Sequence, residues 1–167
     1  VLVAGHTFGA LPGENSAGEM DAFLRMYASD GTLRWTRQFG SAGADWAHAV
    51  NVDAEGNVLV AGSTRGILTP AASRGGGDAF IRKYSGDGSV VWTRQFGTNG
   101  DDAIVSMSLD ATGGIVVAGY TNGRLEDGVS IGDFDSFVRK YASDGTPLWT
   151  HQFGSAAVDT AMSVSTG

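Results

Sequence analysis

Three acidic side chains recur at one position of this sequence and are the first candidates for chemistry. Asp45, Asp102 and Asp159 follow one another at intervals of 57 residues, each a few residues after a Gln-Phe-Gly triplet. A carboxylate in such a loop could bind a cation or a polar ligand, or it could accept backbone N–H bonds within the loop. Because a group that recurs in every copy usually performs the same scaffold task in each, we interpret the three as structural.

Arginines occupy a second repeated position, at Arg25, Arg82 and Arg139. Each alternates with apolar neighbours on a segment that we expect to be a half-buried or buried strand, and a buried guanidinium group needs polar partners. We therefore expect structural ion pairs between these arginines and the repeated aspartates.

Tryptophans mark a third repeated position, at Trp35, Trp92 and Trp149. An indole ring can act as a stacking platform for a sugar. Trp35, however, has the same strand parity as Leu33 and Phe39, which favours packing between neighbouring units of the fold. We interpret these tryptophans as structural.

The remaining chemistry-bearing residues form no recognisable catalytic or metal-binding pattern. His6, His48 and His151 occupy three different repeat positions, so no Ser-His-Asp spacing can be assembled. The Asp-Gly pairs lack the alternating acids and the final Glu of a calcium loop, and we interpret them as turns. We predict no enzyme activity, no metal and no cofactor. The 18 acids leave open a hydrolase or lyase that uses a carboxylate pair in a central channel.

Composition excludes several classes of function. The formal charge is −7 and the basic residues are scattered, whereas nucleic-acid binding needs a clustered basic surface. There is no cysteine, so disulfides and thiol redox chemistry are excluded. No apolar run reaches the length of a membrane span.

The residues named so far belong to a repeat of four predicted strands. The first copy reads Ala22–Ala28, Thr32–Phe39, Ala47–Val52 and Val58–Ala61, with Asp-Gly or Asp-rich turns inside the hairpins. No helical periodicity is evident. We divide the single domain, 1–167, into repeat copies at 1–20, 21–77, 78–134 and 135–167.

Four antiparallel strands with a period of about 40 to 60 residues are typical of β-propeller blades. A solenoid usually has shorter repeats, and a sandwich has no reason to repeat its sequence. We therefore predict an all-β chain of about three four-stranded antiparallel blades.

The motifs Asp-Ala-Phe-x-Arg-x-Tyr, Asp-Gly-x-x-x-Trp, Gln-Phe-Gly and Asp-x-x-Gly-Asn-Val-x-Val-Ala-Gly-x-Thr resemble the bacterial SBBP-type β-propeller repeat. The resemblance covers the whole chain. It implies an exported or cell-envelope protein of bacteria and implies no activity. The third copy departs from the pattern with His151 in place of arginine and with Pro147 at the start of its second strand. Proline cannot donate to a strand ladder, so we expect that strand to begin later.

Both ends of the sequence fall within one blade. Val1 matches Val58 and Gly167 matches Asp53, so the chain is three blades less four residues. Three blades are fewer than the roughly four to eight of closed propellers. Either two chains form a six-bladed homodimeric ring, which we favour, or the chain is an excerpt of a longer propeller. The absence of an initiator Met suggests processing or excision.

Residues that break the repeat are better binding candidates than residues that obey it. Trp46 is matched by Ala103 and Thr160, and the segments after each fourth strand diverge most. In a propeller these segments and the loops between second and third strands share one rim, the usual ligand face. The candidate rim residues are Trp46, Asp45, Asp101, Asp102, Arg65, Arg74, Arg124 and Tyr120.

From this pattern we expect a non-enzymatic scaffold whose rim loops engage a protein or an envelope polymer. A propeller lectin is an alternative, and it predicts an equivalent sugar site in each blade. The hydrolase or lyase is a second alternative, which predicts perturbed carboxylates in the channel.

Overall fold

The computed structural model describes residues 1–69, 75–126 and 128–167, and these contain eleven strands and no helix. The prediction of an all-β chain is confirmed. Among the described residues there is accordingly no apolar helix long enough to cross a bilayer. The strands are β1 (Leu2–Thr7), β2 (Asp21–Tyr27), β3 (Leu33–Phe39), β4 (Asp45–Val52), β5 (Val58–Thr64), β6 (Asp78–Tyr84), β7 (Val90–Phe96), β8 (Asp102–Leu109), β9 (Ile115–Thr121), β10 (Asp135–Tyr141) and β11 (Pro147–Phe153).

The strands form three antiparallel sheets in which neighbours in sequence are neighbours in space. Sheet I contains β1, β2 and β3, sheet II contains β4 to β7, and sheet III contains β8 to β11. We call β4 and β8 the inner strands, because they also contact each other across the two sheets. The prediction of repeated four-stranded antiparallel units is confirmed for sheets II and III.

The predicted boundaries of the repeat copies do not coincide with the sheets. Copy 21–77 contributes β2 and β3 to sheet I and β4 and β5 to sheet II, and β10 and β11 of copy 135–167 belong to sheet III. The sequence reveals the period of a repeat and not its phase, because a 57-residue frame repeats equally well from any starting point. The loop after β3 proves to be the link between sheets.

Hairpin turns lie where the Asp-Gly pairs predict them. Gly31 and Gly88 have φ angles of 86° and 83°, a region that glycine enters without steric cost. The carboxylate of Asp30 accepts a bond of 2.9 Å from the N–H of Thr32. These acids therefore shape turns.

The delayed start predicted for the last strand is wrong. β11 begins at Pro147, which pairs with Tyr141 across an irregularity in the register. The other two copies begin at the equivalent residues, Leu33 and Val90. β11 lies at the edge of sheet III, where a missing N–H leaves no ladder partner unsatisfied.

Aromatic side chains join each sheet to the next. Phe39 of sheet I packs edge-on against Phe80 of sheet II, with ring centroids 5.6 Å apart, and also contacts Tyr84. Phe96 repeats this arrangement on sheet III, and it is 5.7 Å from Phe137. Two apolar cores result, one at each junction.

The repeated arginines join the same junctions, but not as ion pairs with the repeated aspartates. Arg82 stacks over the ring of Phe39 at 4.4 Å, and its Nε donates to the hydroxyl of Thr93 at 2.8 Å. Arg25 donates in the same way to Thr36, and Arg139 pairs with Glu126 at 2.9 Å. The predicted pairing was wrong because the arginines lie in mid-strand, whereas the aspartates lie at strand starts and satisfy their own loops.

Two of the three repeated tryptophans pack at the junctions between sheets, as predicted. Trp35 packs against the first core and donates its indole N–H to the carbonyl of Gly86 in sheet II at 3.1 Å. Trp92 packs against the second core. Trp149 is 41% exposed and stacks on His151.

Gly62 offers a test of the close approach between β4 and β5. A Cβ at this residue would collide with the backbone carbonyl of Trp46. We expect Gly62→Ala to lower the free energy of unfolding by about 2 kcal/mol, because such overpacking forces a backbone shift. Urea titration measures this. The control is Gly9→Ala, where a Cβ meets nothing within 4 Å and the change should stay below about 0.5 kcal/mol. Equal changes in both variants would contradict the packing described.

Candidate functional site

A pocket of about 340 Å³ opens where sheets II and III meet, at the start of the inner strands. We call it the rim pocket. Both sheets contribute side chains from their inner strand, their second strand and the adjoining loops. Its lining consists of Trp46, His48, Ser63, Arg65, Gly77, Asp101, Asp102, Ala103, Tyr120 and Phe134.

Backbone hydrogen bonds hold the loops of the rim pocket together. The N–H of Arg65 donates to the carbonyl of Ala44 at 2.8 Å, and the N–H of Asp102 donates to Gly77 at 2.7 Å. These bonds tie the segment after each second strand to the loop that enters an inner strand. The prediction that these loops and segments share one rim is confirmed.

One wall of the pocket combines a cation with an aromatic ring. The guanidinium carbon of Arg65 lies 5.8 Å from the ring centroid of Trp46, a distance typical of cation–π contact. Arg65 is exposed and Trp46 half-buried. Within the described part of the chain the guanidinium group makes no hydrogen bond or ion pair, so all its N–H donors face solvent or a ligand.

The opposite wall is apolar. Tyr120 and Phe134 meet edge-to-face with ring centroids 5.4 Å apart and an interplanar angle of 84°. A backbone bridge between Phe134 and Val158 helps to fix the segment that carries the phenylalanine. This wall offers a ring face or edge to an apolar or planar group.

Asp101 supplies an acceptor to the pocket. Its Oδ1 receives the N–H of Gly77 at 2.8 Å, and its side chain is half-buried. The second carboxylate oxygen carries no hydrogen bond from any described residue. Asp101 can therefore accept a hydrogen bond from a ligand.

Asp102, in contrast, is a scaffold residue. It is 1% exposed, and its Oδ2 accepts bonds from the backbone N–H and the hydroxyl of Thr98 at 2.6 and 3.0 Å. Burial raises the pKa of the Asp102 carboxyl, and the two hydrogen bonds from Thr98 offset part of that rise. Asp102 lines the pocket but holds the loop.

The other two repeated aspartates perform the same task. Asp45 is fully buried and accepts the N–H of Ser41 at 2.7 Å, and Asp159 accepts the N–H of Ser155 at 2.7 Å. Burial likewise raises the pKa of Asp45. The interpretation of this position as a loop acceptor is confirmed, and Asp45 does not line the rim pocket.

Sequence reasoning missed a histidine and a serine in the pocket. His48 Nε2 lies 3.5 Å from the hydroxyl oxygen of Ser63. Partial desolvation lowers the pKa of His48, and the neighbouring His6 lowers it further. The signal was available, because both residues break the repeat. His48 is matched by Val105 and Met162, and Ser63 by Tyr120 and His6.

The structure brings together five of the eight predicted rim residues: Trp46, Arg65, Asp101, Asp102 and Tyr120. Arg124 lies elsewhere and donates to the carbonyl of Gly128 at 2.8 Å. Arg74 lies outside the described residues.

The pocket's chemistry occurs at one junction. Between sheets I and II, the positions equivalent to Ser63, Arg65 and Phe134 carry His6, Phe8 and Gly77, and Trp46 stands where the pocket has Ala103. The Arg65–Trp46 wall is therefore not reproduced there. A ligand that depends on this wall would find one site among the described residues and not one per sheet.

Comparison with known proteins supports repeats of the β-propeller type. A family model described as SBBP, a beta-propeller repeat, matches residues 34–69. This stretch runs from β3 of sheet I through the rim loop into β4 and β5 of sheet II.

Two curated proteins are similar to the chain. One is an uncharacterized WD repeat-containing protein, L264, of Acanthamoeba polyphaga mimivirus, 27% identical in an alignment 167 positions long that covers 83% of this chain. The other is the regulatory protein FlaEY of Caulobacter vibrioides, 28% identical in an alignment 117 positions long that covers 66% of this chain. The matches span 12% of the length of each relative.

The buried carboxyl of Asp102 predicts a pH dependence of stability. Because the pKa is higher in the folded than in the unfolded protein, the group's contribution is fully present below the unfolded value of about 3.9. It is lost as pH rises through the folded value. Replacing Asp102 with Asn removes this loss, so the stability of Asp102→Asn relative to wild type should increase from pH 4 to pH 7.

Urea midpoints at several pH values within this range measure the effect. Asp30→Asn is the control, since the hydrogen bond from Thr32 lowers the pKa of this exposed turn carboxyl, and the stability of this variant relative to wild type should not rise over the same range. A stability difference between Asp102→Asn and wild type that does not change with pH would contradict the prediction.

Proposed function

We propose that this chain is part of a non-enzymatic β-propeller scaffold that binds a protein or an envelope polymer through the rim pocket and the adjoining rim loops. The observation that carries the proposal is the contrast between regular sheets and a pocket whose side chains break the repeat. Residues that maintain the fold recur every 57 positions, whereas Trp46, His48 and Arg65 have no counterparts of the same type. The names of the relatives, a WD repeat-containing protein and a regulatory protein, are consistent with a scaffold role.

The chemistry of the pocket suits a partner group that is partly apolar and also forms hydrogen bonds. Arg65 offers unpaired N–H donors above Trp46, and Asp101 offers an acceptor. Tyr120 and Phe134 supply the apolar wall. Aromatic and arginine side chains of this kind dominate binding energy at protein interfaces.

The arrangement of polar groups supports a non-enzymatic role. His48 reaches Ser63 only at 3.5 Å, and no described acid accepts a hydrogen bond from its other ring nitrogen, as an activated serine would require. Near Gly40 the carboxylates of Asp21 and Asp45 approach each other closely, but both are fully buried. A substrate could not reach that pair.

The cellular location is part of the proposal. The repeat resembles those of exported and cell-surface bacterial proteins, and a rim that binds an envelope polymer would be accessible there. We therefore propose a location in the bacterial envelope or outside the cell.

Binding of defined probes tests the scaffold role. The probes are a library of displayed random peptides and three purified polymers, namely peptidoglycan, lipopolysaccharide and capsular polysaccharide. We expect at least one probe to bind the wild-type chain and to lose tenfold or more of its affinity with Trp46→Ala or Arg65→Ala.

The control for these variants is Val90→Ala, which changes an apolar side chain that is 55% exposed at the start of β7, at the end of sheet II opposite the rim. It should bind the probe as the wild type does. Equal binding by all variants, or no binding of any probe to the wild type, would count against the pocket as the partner site.

A sugar is a second candidate ligand, favoured by the pairing of Trp46 with hydrogen-bonding groups at Arg65 and Asp101. A pyranose ring can stack on an indole while its hydroxyls bond to such groups. Because the aromatic and cationic set occurs at one junction, we expect one sugar site in the described chain. This differs from the equivalent sites that a regular lectin would have.

Tryptophan fluorescence with a panel of neutral and acidic monosaccharides and disaccharides tests this candidate. Binding at the pocket should quench emission with a stoichiometry of one sugar per chain, and Trp46→Phe should remove the change. If no sugar of the panel changes the emission, or if the change persists in Trp46→Phe, sugar binding at this site is excluded.

A further inference from the structure

Sheet I has an open edge at β1. β1 is hydrogen-bonded to β2 on one side, whereas β5 and β9, which occupy the equivalent position in sheets II and III, each pair on both sides. In those sheets the second neighbour is the inner strand. Among the described residues no inner strand pairs with β1.

Gly5 keeps space for such a strand. It matches Gly62 and Gly119, where a Cβ would collide with the carbonyl oxygen of Trp46 or Ala103 on the inner strand. At Gly5 the nearest atoms to that position belong to the ring of Phe23, at 3.0 Å, and no carbonyl is present. β1 therefore carries the glycine that allows close approach of an inner strand, although no described inner strand lies beside it.

The segment 159–167 has the sequence position and the surroundings of an inner strand. It follows β11 as β4 follows β3, and Asp159 anchors its start by accepting the N–H of Ser155. Val164 and Thr166 donate their N–H groups to Ser106 and Ser108 of β8, at 3.1 and 3.2 Å. The segment thus lies beside β8 as the inner strand of a further sheet would, and it pairs with no second strand among the described residues.

The outer faces of sheets I and III complement each other in the same way. Phe153 of sheet III matches Phe39 and Phe96, but it is 54% exposed, whereas Phe39 is 8% exposed. It has no next sheet to pack against in the described chain. Trp149 on the same strand is 41% exposed.

Sheet I carries the residues that would contact Phe153. In sheet II the ring of Phe39 is received by Phe80, Arg82 and Tyr84. The residues at the equivalent positions of sheet I are Phe23, Arg25 and Tyr27. Arg25 stacks over Tyr27 at 5.9 Å, and among the described residues no ring of a preceding sheet lies over it.

An ion pair found in sheets II and III is absent, on both of its sides, from the two surfaces that would meet. Asp53 forms an ion pair with Lys83 at 2.8 Å, and Asp110 forms the equivalent pair with Lys140 at 2.7 Å. Each pair joins the end of an inner strand to the third strand of its sheet. At the corresponding positions for segment 159–167 and sheet I, the acid is replaced by Gly167 and the lysine by Met26. The loss of both charges leaves no unpaired ion if that segment completes sheet I.

We propose that sheet I is completed by a second copy of this chain, which places its segment 159–167 against β1 and its Phe153 against Phe23 and Tyr27. Two copies reciprocate these contacts and form a closed ring of six sheets. Three sheets are fewer than the roughly four to eight of closed propellers, so a single copy does not close on itself. A head-to-tail contact that closes after two copies satisfies every such surface.

Disulfide trapping tests the strand pairing directly, because the chain has no cysteine. By equivalence with Val50–Val60 and Met107–Val117, Val164 of one copy faces Val3 of the other. Oxidation of the double variant Val3→Cys and Val164→Cys should give a linked species of twice 17.2 kDa on a non-reducing gel. The control, Leu2→Cys with Val164→Cys, is shifted by one residue to the opposite face and should not link.

An intrachain disulfide at the mass of one chain would overturn the proposal, because it would show that the segment reaches its own β1. A ladder of larger species would also overturn it, because the contact would then propagate without closing.

The solution mass of the unmodified chain, measured by light scattering over a dilution series, provides the second test. We expect a mass of twice 17.2 kDa, and we expect Phe153→Ala to raise the dissociation constant at least tenfold. Val90→Ala, which alters a side chain of sheet II that is 55% exposed, should leave the constant unchanged. A folded chain of single mass at every concentration would sink the proposal and assign the open edge to other repeats of a longer polypeptide.

Discussion

The packing of one phenylalanine per repeat onto the following sheet is the contact on which the rest of the structure depends. Phe39 and Phe96 each bridge two sheets that share no backbone ladder. Burying such a ring contributes about 1.5–3 kcal/mol, and edge-to-face pairs add about 0.5–1.5 kcal/mol. The repeated arginines stack on the same rings. A sheet that lacks this contact on one side, as sheets I and III do, exposes the surface that a neighbour would cover.

The architecture could be predicted from the sequence because the constraints that produce it are local. Alternating apolar residues and Asp-Gly turns specify each hairpin, and their recurrence at 57 residues specifies that the sheets are alike. The assignment of strands to sheets could not be predicted, because the loop at Gly40 joins two sheets whereas the turn at Gly56 joins two strands of one. Both are short and glycine-containing. Hydrogen-bond register, which sequence does not display, distinguishes them.

The hydrogen-bond partners of the charged residues could not be predicted from the sequence either. Arg82 and Asp45 both recur and have opposite charges, which favoured a pair, yet Arg82 donates to Thr93 and Asp45 accepts from Ser41. A short side chain at the start of a strand reaches its own loop first, because little conformational entropy is lost in closing a contact over a few residues. Trp46 was recognisable because it breaks the repeat. His48 breaks it equally, but its contact with Ser63 depends on the register of β4 against β5.

Two sets of residues meet different requirements: one set packs the sheets against each other, and the other lines the rim pocket. Each junction needs the same phenylalanine, arginine and aspartate, because every sheet must pack on the next in the same way. The rim pocket lies at the same junction of sheets II and III as the second core, which Phe96 and Phe137 help to build. Substitutions at Trp46 or Arg65 can therefore alter which ligand the pocket binds without altering the packing between the sheets. A repeat scaffold gains separate sites in this way: one framework holds several junctions, and each junction can carry different rim side chains.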